Sequence, residues 1–299
     1  MSFSSNVKAE LCRQSITWRM EALAEAYGVL LYCNTFTGSA VRVVTESRDF
    51  AERLPKLFRK AFGVGFDATP DPDEPGKLLL AIEQKDKLEK LLMALDMRAD
   101  GEVALHVNFG LLEEEPEQLA FFRGAFLAGG SVTDPAKRYH LELATPHLKV
   151  SAEASVLLRE IGFSAKETSR AGNSILYFKQ SDTIEDFLTA IGAQVSAMGV
   201  MEAKVEKDLR NGVNRRVNCE TANLSKAVDA SFEQLAAIRK LEEAGVLETL
   251  PQKLQETARL RRENPEATLS ELAEMPDPPV SKSAVNHRMR KLMELSKTL

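Results

Sequence analysis

The pattern of apolar and polar positions predicts the same series of elements twice, followed by a region that is entirely helical. The period of the apolar residues separates helices from strands, and β-branched runs support the strands. In the first series, helices are predicted at residues 4–16, 23–31, 49–62 and 85–95, and strands at residues 41–45 and 78–83. In the second series, helices are predicted at residues 121–128, 151–161 and 183–191, and strands at residues 139–144 and 174–179.

Matching polar positions indicate an internal duplication. Gln84 and Asp86, at the start of one predicted helix, recur as Gln180 and Asp182, with a constant difference of 96 in residue number. A shared apolar pattern can arise by coincidence, but shared polar positions at one spacing are harder to explain that way. The two series are therefore interpreted as two repeats of one unit.

Each repeat is too small to bury much apolar surface alone, so the two are expected to form one α+β domain. We expect this domain to cover residues 1–204, with repeats at about 20–98 and 119–193. The pattern favours antiparallel sheets with helices on one face and a pseudo-twofold axis between the repeats.

The helix in the middle of the chain, within residues 121–132, is suited to close contact with another helix. Gly124, Ala125, Ala128 and Gly129 are small and lie at helical spacings. Small side chains let two helix backbones approach closely, while larger neighbours fill the grooves. This helix is predicted to pack against the opening helix of the first repeat.

The C-terminal region differs in pattern. Residues 205–220 are polar and are predicted to form a linker, or the end of a helix that becomes one. Residues 221–299 are predicted to form an all-helical domain. Thr268 and Glu271 have the spacing of a capping box before a short helix. A proline-rich turn at 276–279 leads to a last helix that ends near residue 297, an arrangement typical of a helix-turn-helix. The polar linker positions singled out are Asn214, Arg215, Arg216 and Asn218.

The last helix has an apolar side and a basic side. Val285, Met289 and Leu292 fall together, and Ser283, His287 and Arg290 point the opposite way. Basic side chains can neutralise phosphates, and amide, hydroxyl and guanidinium groups can read base edges. A solvated basic face on an ordinary helix would look the same, but the preceding capped helix and turn favour DNA contact. The predicted DNA-binding residues are Lys282, Ser283, Asn286, His287, Arg288, Arg290 and Lys291.

The uneven charge supports this interpretation. The 299-residue chain has a formal net charge of −5, but residues 204–299 hold 17 Lys and Arg against 15 Asp and Glu. Residues 281–299 hold five basic residues and one acidic residue. A basic patch on an acidic protein indicates a polyanionic partner for that patch alone.

Composition also limits the cellular location. Apolar runs of about 18 residues are absent, so no membrane span is expected. The first eight residues lack the pattern of a signal peptide. Cys12, Cys33 and Cys219 are odd in number and far apart, as expected in a reducing cytoplasm. The expected location is cytoplasmic and associated with the nucleoid.

Catalytic motifs are absent, which predicts a protein that is not an enzyme and needs no metal or cofactor. The sequence contains no HExxH, GxSxG, P-loop or CxxC motif. Asp134 and Glu142 follow the central helix and could together hold Mg²⁺, although loop solvation and an edge of a strand explain them better. The histidines His106, His140, His147 and His287 are scattered.

The central helix resembles the motif helix of LAGLIDADG homing endonucleases, and residues 23–31 resemble a weaker first copy. In active members, an acid at the eighth motif position binds the metal that cleaves DNA. Counting from Leu23, the eighth positions here hold Leu30 and Gly129, which predicts an inactive centre. Tyr27, Tyr32 and Cys33 also stand where the family more often has a polar, partly acidic end. The degenerate motif positions are Leu23, Gly28 and Leu30, then Gly124, Ala128, Gly129 and Gly130.

Four segments together resemble the WhiA family of sporulation and cell-division transcription regulators of Gram-positive bacteria. They cover residues 4–11, 123–132, 214–223 and 278–288. The resemblance implies a homing-endonuclease fold that no longer cuts, joined to a helix-turn-helix that binds promoter DNA. Another transcription regulator or RNA polymerase is a further expected partner. Two alternatives stay open: a metal-dependent endonuclease that uses unconventional acids, and a protein or ligand docking module with secondary DNA binding.

Overall fold

The structure, a computed structural model, describes residues 2–71, 76–97 and 105–299. Its internal contacts divide the chain into two units, Met1–Asp208 and Leu209–Leu299. Residue 98, the predicted end of the first repeat, lies outside the described residues.

In the N-terminal unit, the first repeat and the helix before it form a three-stranded antiparallel sheet with helices. The helices are α1 (Phe3–Cys12), α2 (Arg19–Tyr32), α3 (Arg48–Phe62) and α4 (Lys85–Ala94), and the strands are β1 (Thr35–Phe36), β2 (Val41–Thr45) and β3 (Leu78–Ile82), in the order β1-β2-β3. The Ser47 hydroxyl caps α3 by accepting a hydrogen bond from the amide of Phe50. Gly63 ends α3 with φ 71°, a conformation that glycine adopts readily.

The second repeat follows the same order and, among the described residues, has one more strand than the first. Its helices are α5 (Glu115–Gly129), α6 (Leu148–Glu160) and α7 (Ser181–Ile191), and its strands are β4 (Gly130–Val132), β5 (Leu141–Thr145), β6 (Lys166–Arg170) and β7 (Asn173–Phe178). The antiparallel sheet has the order β4-β5-β7-β6. The prediction of an α+β fold built from two similar halves is confirmed.

Three strands were missed in the sequence because they carry little apolar signal. β1 and β4 are only two and three residues long, and all five residues of β6 are exposed. In the first repeat, Ala68 forms a single antiparallel bridge to Ala81 of β3. This edge of β3 corresponds to the edge of β7 that pairs with β6 in the second sheet. The repeats therefore differ chiefly at one sheet edge.

The core of the N-terminal unit is organised around α2 and α5. Every residue of α2 from Ala22 to Tyr32 is buried, and α5 buries Phe121, Phe122 and Phe126 completely. α3 packs on β2 and β3, and α6 packs on β5 and β7, so each sheet is covered by helices on one face. Large apolar side chains and close helix contact together supply the main hydrophobic stabilisation of this unit.

The long helix α8 (Gln194–Glu243) contains the boundary between the two units. The Glu10 carboxylate caps its first turn by accepting hydrogen bonds from the amides of Val195 (2.7 Å) and Ser196 (2.9 Å). Residues 205–220, predicted as a linker or as the end of a helix that becomes one, are helical throughout. Because the residues on both sides are helical, the helix continues through this polar stretch even though it contains one glycine. Asn214, Arg215, Arg216 and Asn218 are all exposed.

The C-terminal unit is helical, as predicted. After the last part of α8 come α9 (Gln252–Glu263), α10 (Leu269–Glu274) and α11 (Lys282–Lys297). Its core consists of Ile238, Leu241, Ala258, Leu272, Ala273, Val285, Met289 and Leu292. Within the described residues, no helix of either unit has both the length and the apolar character that crossing a membrane requires.

Candidate nucleic-acid interface

Local sequence signals define both helices of the candidate interface. The Thr268 side chain caps the amide of Glu271 at 3.2 Å, and the Glu271 carboxylate accepts from the amide of Thr268 at 2.7 Å, so the predicted capping box of α10 is present. Ser281 caps α11 by accepting from the amide of Ala284 at 3.2 Å. Both helices therefore begin where their capping residues dictate.

The buried side of α11 fixes its orientation in the C-terminal unit. Val285, Met289 and Leu292 are buried, as their spacing predicts, against the core that includes Leu272 and Ala273 of α10. An amide-to-carbonyl hydrogen bond of 2.9 Å from Val280 to Ala273 closes the turn between the helices. The side of α11 opposite these residues is thereby directed toward solvent.

Most of the predicted DNA-binding residues lie together on this outer side. Asn286 is half-buried, and the others of this group are exposed: Lys282, Ser283, His287, Arg290 and Lys291. This surface, called here the outer face of α11, combines three cationic side chains with hydroxyl, amide and imidazole groups. Such a set can both neutralise phosphates and form hydrogen bonds to base edges in a major groove.

Arg288 differs from the other predicted residues. It is half-buried, and its Nη1 donates to Oγ1 of Thr257 on α9 at 3.4 Å. The helical period places Arg288 toward the packed side of α11 rather than at the centre of its outer face. Sequence reasoning could not find this contact because Thr257 lies 31 residues away.

The second predicted region is the contact between the motif helices α2 and α5. A Cβ atom added to Gly28 would lie 2.0 Å from the carbonyl oxygen of Phe121, and one added to Gly124 would lie 1.9 Å from that of Glu25. Both distances are far below van der Waals contact, so only glycine fits at either position. The small residues therefore form the helix contact that the sequence predicts.

These contacts also correct the alignment of the first motif copy. Gly28 contacts Phe121, and Gly124 contacts Glu25 in the same way. The two contacts are related by symmetry if Gly28 is equivalent to Gly124 and Glu25 to Phe121, a difference of 96 in residue number in both cases. By this relation the residue equivalent to Gly129 is Cys33, and the assignment of Leu30 to the eighth position is wrong. The error arose because α2 is buried on every side, so its apolar pattern has no preferred face from which to read a register.

Neither equivalent position can provide a metal-binding carboxylate. The Cys33 thiol is buried and lies 3.2 Å from the carbonyl oxygens of Leu30 and Thr35, and burial raises its pKa to about 12. A side chain at residue 129 would start 2.4 Å from the carbonyl oxygen of Ala144. The protonated thiol and the filled space do not fit the hard cation that phosphodiester cleavage requires.

A lysine occupies the end of α5 instead. The Lys8 ammonium donates to the carbonyl oxygen of Leu127 at 3.0 Å, where the helix dipole favours positive charge. Burial lowers the pKa of Lys8 to about 8. A cationic side chain therefore binds a carbonyl group in the last turn of α5.

An acidic side chain that the sequence analysis missed lies at the helix contact itself. Glu25 is buried and accepts from Arg53 Nε at 2.6 Å, Arg53 Nη2 at 2.8 Å and Arg123 Nη1 at 3.3 Å. Burial alone would lower the pKa of Arg53, but its hydrogen bonds and charge interaction with Glu25 raise it. Because both carboxylate oxygens of Glu25 are occupied, this group acts as a structural ion pair.

The acids considered for an unconventional metal site are also paired. Glu142 accepts from Arg170 at 2.9 Å and lies 3.2 Å from Nε2 of His140. Burial would raise the pKa of Glu142, but the hydrogen bonds and charges of these partners lower it. Asp134 accepts from the amide of Ala136 at 2.9 Å, as in a turn. Over residues 2–71, 76–97 and 105–299, no group of three His, Cys, Asp or Glu residues could hold a metal ion.

Comparison with known families matches both regions. The family model for the WhiA C-terminal HTH domain matches residues 213–296. The model for the WhiA LAGLIDADG-like domain matches residues 118–210, which contain the second motif helix.

Relatives and solved structures extend this match over the whole chain. The chain is 35% identical over 311 aligned positions to a probable cell division protein WhiA of Clostridium perfringens (strain 13 / Type A), covering 100% of this chain and 98% of that protein. It is 37% identical over 313 positions to one of Alkaliphilus metalliredigens (strain QYMF), covering 99% and 98%. The crystal structure of full-length DUF199/WhiA from Thermatoga maritima has a TM-score of 0.61 at 22% identity, covering 100% of this chain and 99% of that one. Together with the two family models, these relatives show that the chain belongs to the WhiA family.

Proposed function

We propose that the protein is a sequence-specific DNA-binding transcription regulator whose base reading is done by α11. The observation that carries this proposal is the outer face of α11, where Lys282, Arg290 and Lys291 are exposed on a helix anchored by its apolar side. In a helix-turn-helix, the second helix enters the major groove and the first crosses the backbone. The names of the Clostridium and Alkaliphilus relatives suggest that the regulated process is linked to cell division.

Different residues of the outer face are suited to different parts of DNA. Lys282 and Lys291 lie at opposite edges of the face and are proposed to contact phosphates. His287 and Arg290 lie near its centre, with Ser283 and the half-buried Asn286 beside them. We propose that these central side chains read bases.

The N-terminal unit is proposed to lack nuclease activity and to contribute little electrostatic attraction for DNA. Cys33 and Gly129 replace the acids at the ends of the motif helices. On the open faces of its sheets, Arg42 pairs with Glu83 at 2.7 Å and Arg170 pairs with Glu142 at 2.9 Å. These pairs reduce the positive charge that could face phosphates.

The acidic N-terminal unit is instead suited to a protein partner. Another transcription regulator or RNA polymerase is proposed for this role, with promoter DNA bound by the C-terminal unit and the protein associated with the nucleoid. The exposed segment 205–220 is proposed to act as the connecting element between these activities.

The proposal is tested by mapping the genomic sites that the protein occupies in cells. Fragments from the mapped sites are then used in gel-shift assays with the full chain at several salt concentrations, because phosphate contacts weaken as salt rises. We expect a shared sequence among the sites and retention of those fragments in preference to matched unrelated DNA. Failure to retain any mapped fragment even at low salt would contradict the proposal.

The absence of cleavage is tested separately. The purified chain is incubated with supercoiled plasmid and Mg²⁺ or Mn²⁺, and no nicking above a no-protein control is expected. Cleavage that disappears in Glu142→Gln would instead establish the endonuclease alternative, because this variant keeps the size of the side chain and removes a carboxylate ligand.

A further inference from the structure

An apolar stripe runs along one side of α8 within residues 209–228, all of which lie in the C-terminal unit. At about 100° of rotation per residue, as in a regular α-helix, its members fall within an arc of about 100° around the helix axis. They are between 43% and 67% exposed: Leu209, Val213, Val217, Leu224 and Val228. Further along the same side, Ser231 and Ile238 are buried. The stripe is therefore the exposed continuation of a helix face that the C-terminal unit covers.

The spacing of the stripe is symmetric about the midpoint between Asn218 and Cys219. Leu209 and Val228 are equally far from this midpoint, and so are Val213 and Leu224. A second copy related by a twofold axis through the midpoint, with its helix antiparallel, would place each residue opposite its symmetric counterpart. An interface between identical copies requires this kind of self-complementarity.

The charges beside the stripe also favour one orientation of the pair. From residue 209 to 218 the charged residues are Arg210, Arg215 and Arg216, all basic. From residue 219 to 228, the equal-length segment that would lie opposite, they are Glu220 and Lys226, whose charges cancel. A parallel pair with the same centre would set the three arginines of one copy beside those of the other. Antiparallel pairing sets this basic half beside a half with no net charge, so the charges favour the antiparallel orientation.

Glu220 distinguishes an antiparallel from a parallel arrangement, because it lies at the position symmetric to Val217. In the antiparallel arrangement, Glu220 faces Val217 of the second copy and lies one residue from its Arg216. In a parallel arrangement with the same centre, Glu220 would face Glu220, a like-charge contact that is unfavourable. Both the apolar spacing and the charge pattern therefore favour an antiparallel second copy.

We propose that residues 209–228 of α8 form an antiparallel pair with the same segment of a second copy of the chain. The contact is about 30 Å long at the rise of a regular helix. A contact of two single helices is small, so the dimer forms at micromolar concentration and is in equilibrium with monomer. The dimer carries two copies of α11, and binding of both to one DNA raises the apparent affinity without any new base contact.

The first test measures the mass of the full chain by multi-angle light scattering and sedimentation. At about 100 μM, a concentration that populates dimers with micromolar dissociation constants, the wild type is expected to be largely dimeric. Val213→Glu combined with Leu224→Glu should abolish the dimer. The matched control, Asn211→Glu with Asn218→Glu, adds the same charge to exposed positions on the other side of α8 and should retain it. A monomeric wild type at this concentration, or a dimer unaffected by the stripe variant, would overturn the proposal.

The second test examines the orientation by charge reversal. Glu220→Arg and Arg216→Glu, made separately, each set like charges beside one another and should weaken the dimer about fivefold, as for an exposed ion pair. The double reversal restores opposite charges and should restore most of the affinity. Loss that the double variant does not recover would overturn the antiparallel arrangement. Circular dichroism on each variant checks that α8 stays helical.

A cross-linking measurement checks the symmetry centre directly. Val217→Cys in a Cys219→Ser background places thiols of the two copies close to the twofold axis and should form a disulfide under mild oxidation. Cys219 is exposed but lies on the other side of α8 from the stripe. The wild type, with Cys219 intact, should therefore remain uncross-linked under the same conditions. A cross-link in the wild type and none in the Val217→Cys variant would exclude a twofold axis between Asn218 and Cys219.

Discussion

The contact between α2 and α5 and the outer face of α11 are both helix surfaces, but they are built in opposite ways. At the first, Gly28 and Gly124 bring two backbones together so closely that no other residue fits. At the second, side chains such as His287 and Arg290 extend into solvent from a helix that is anchored only on its other side. Packing fixes nearly every atom at the contact between α2 and α5. On the outer face of α11, packing fixes only the backbone from which the side chains extend.

This difference separates what holds the LAGLIDADG-like fold together from what the proposed loss of nuclease activity would change. Close packing at Gly124 stabilises the N-terminal unit whether or not acids follow at the helix ends. Cys33 and Gly129 at the helix ends offer no carboxylate, while the close contact at Gly28 and Gly124 is present. The outer face of α11 contributes little to packing, so its side chains can be selected for recognition.

The strongest way to test this contrast is to add one methyl group at the helix contact. Gly124→Ala places a carbon 1.9 Å from the carbonyl oxygen of Glu25, and neither backbone can move without separating α2 from α5. We expect the free energy of unfolding of the N-terminal unit to fall by more than about 3 kcal/mol. Urea unfolding followed by circular dichroism measures the change.

Gly212→Ala is the matched control for that variant. Gly212 also lies in a helix, but an added Cβ there meets no atom within 4 Å. Alanine is the better helix former, so this variant should be stabilised by up to about 1 kcal/mol. Equal effects of the two substitutions would show that helix propensity, and not the contact with α2, determines the result.

A somewhat smaller effect is expected from the buried ion pair at the same contact. Glu25→Gln leaves Arg53 and Arg123 with less negative charge to compensate them in a buried site. The cost should be about 3 kcal/mol. By comparison, Glu83→Gln breaks the pair with Arg42, which is half exposed to solvent, and should cost less than about 1 kcal/mol. Thermal unfolding of both variants distinguishes buried from exposed pairing, and similar losses would contradict the structural role of Glu25.

The two regions also differ in how well the sequence predicts them. For α10 and α11 the signals are local: Thr268 and Glu271 form a capping box, Ser281 caps the last helix, and Val285 and Met289 mark its buried side. Each of these features depends on residues within one or two turns of each other. The exposed side of α11 could therefore be identified in advance, apart from Arg288, whose partner is on another helix.

The contact of α2 with α5 depends on residues distant in sequence, and the prediction was correspondingly less complete. The small residues predicted close packing, but the register of α2 was wrong because a helix buried on all sides gives no periodic signal. Glu25 was not identified from the sequence, since its partner Arg53 is 28 residues away. The exposed strand β6 lacked the alternating pattern that marks a half-buried strand.

On the outer face of α11, a single truncation is expected to affect DNA binding and leave folding unchanged. Arg290→Ala should weaken binding to the mapped sites by about 1–3 kcal/mol and relax the preference for one base pair, if Arg290 contacts a guanine edge. Lys253→Ala removes the same charge from an exposed position on α9 and serves as the control. Competition gel shifts with single-base variants of a mapped site measure both. An equal loss in the two variants would indicate that only net charge matters.

The smallest effect is expected at Arg288, which belongs to the basic helix by sequence but to the packed side by structure. Its hydrogen bond to Thr257 is long, at 3.4 Å, so Arg288→Met should reduce the stability of the C-terminal unit by about 1 kcal/mol or less. Thr257→Val removes the same bond from the other side, and the double variant should cost little more than either single change. Base preference in the competition assay should remain that of the wild type. A change in preference without a loss of stability would place Arg288 with the reading residues, and the division between the anchored side and the outer face of α11 would then have to be redrawn.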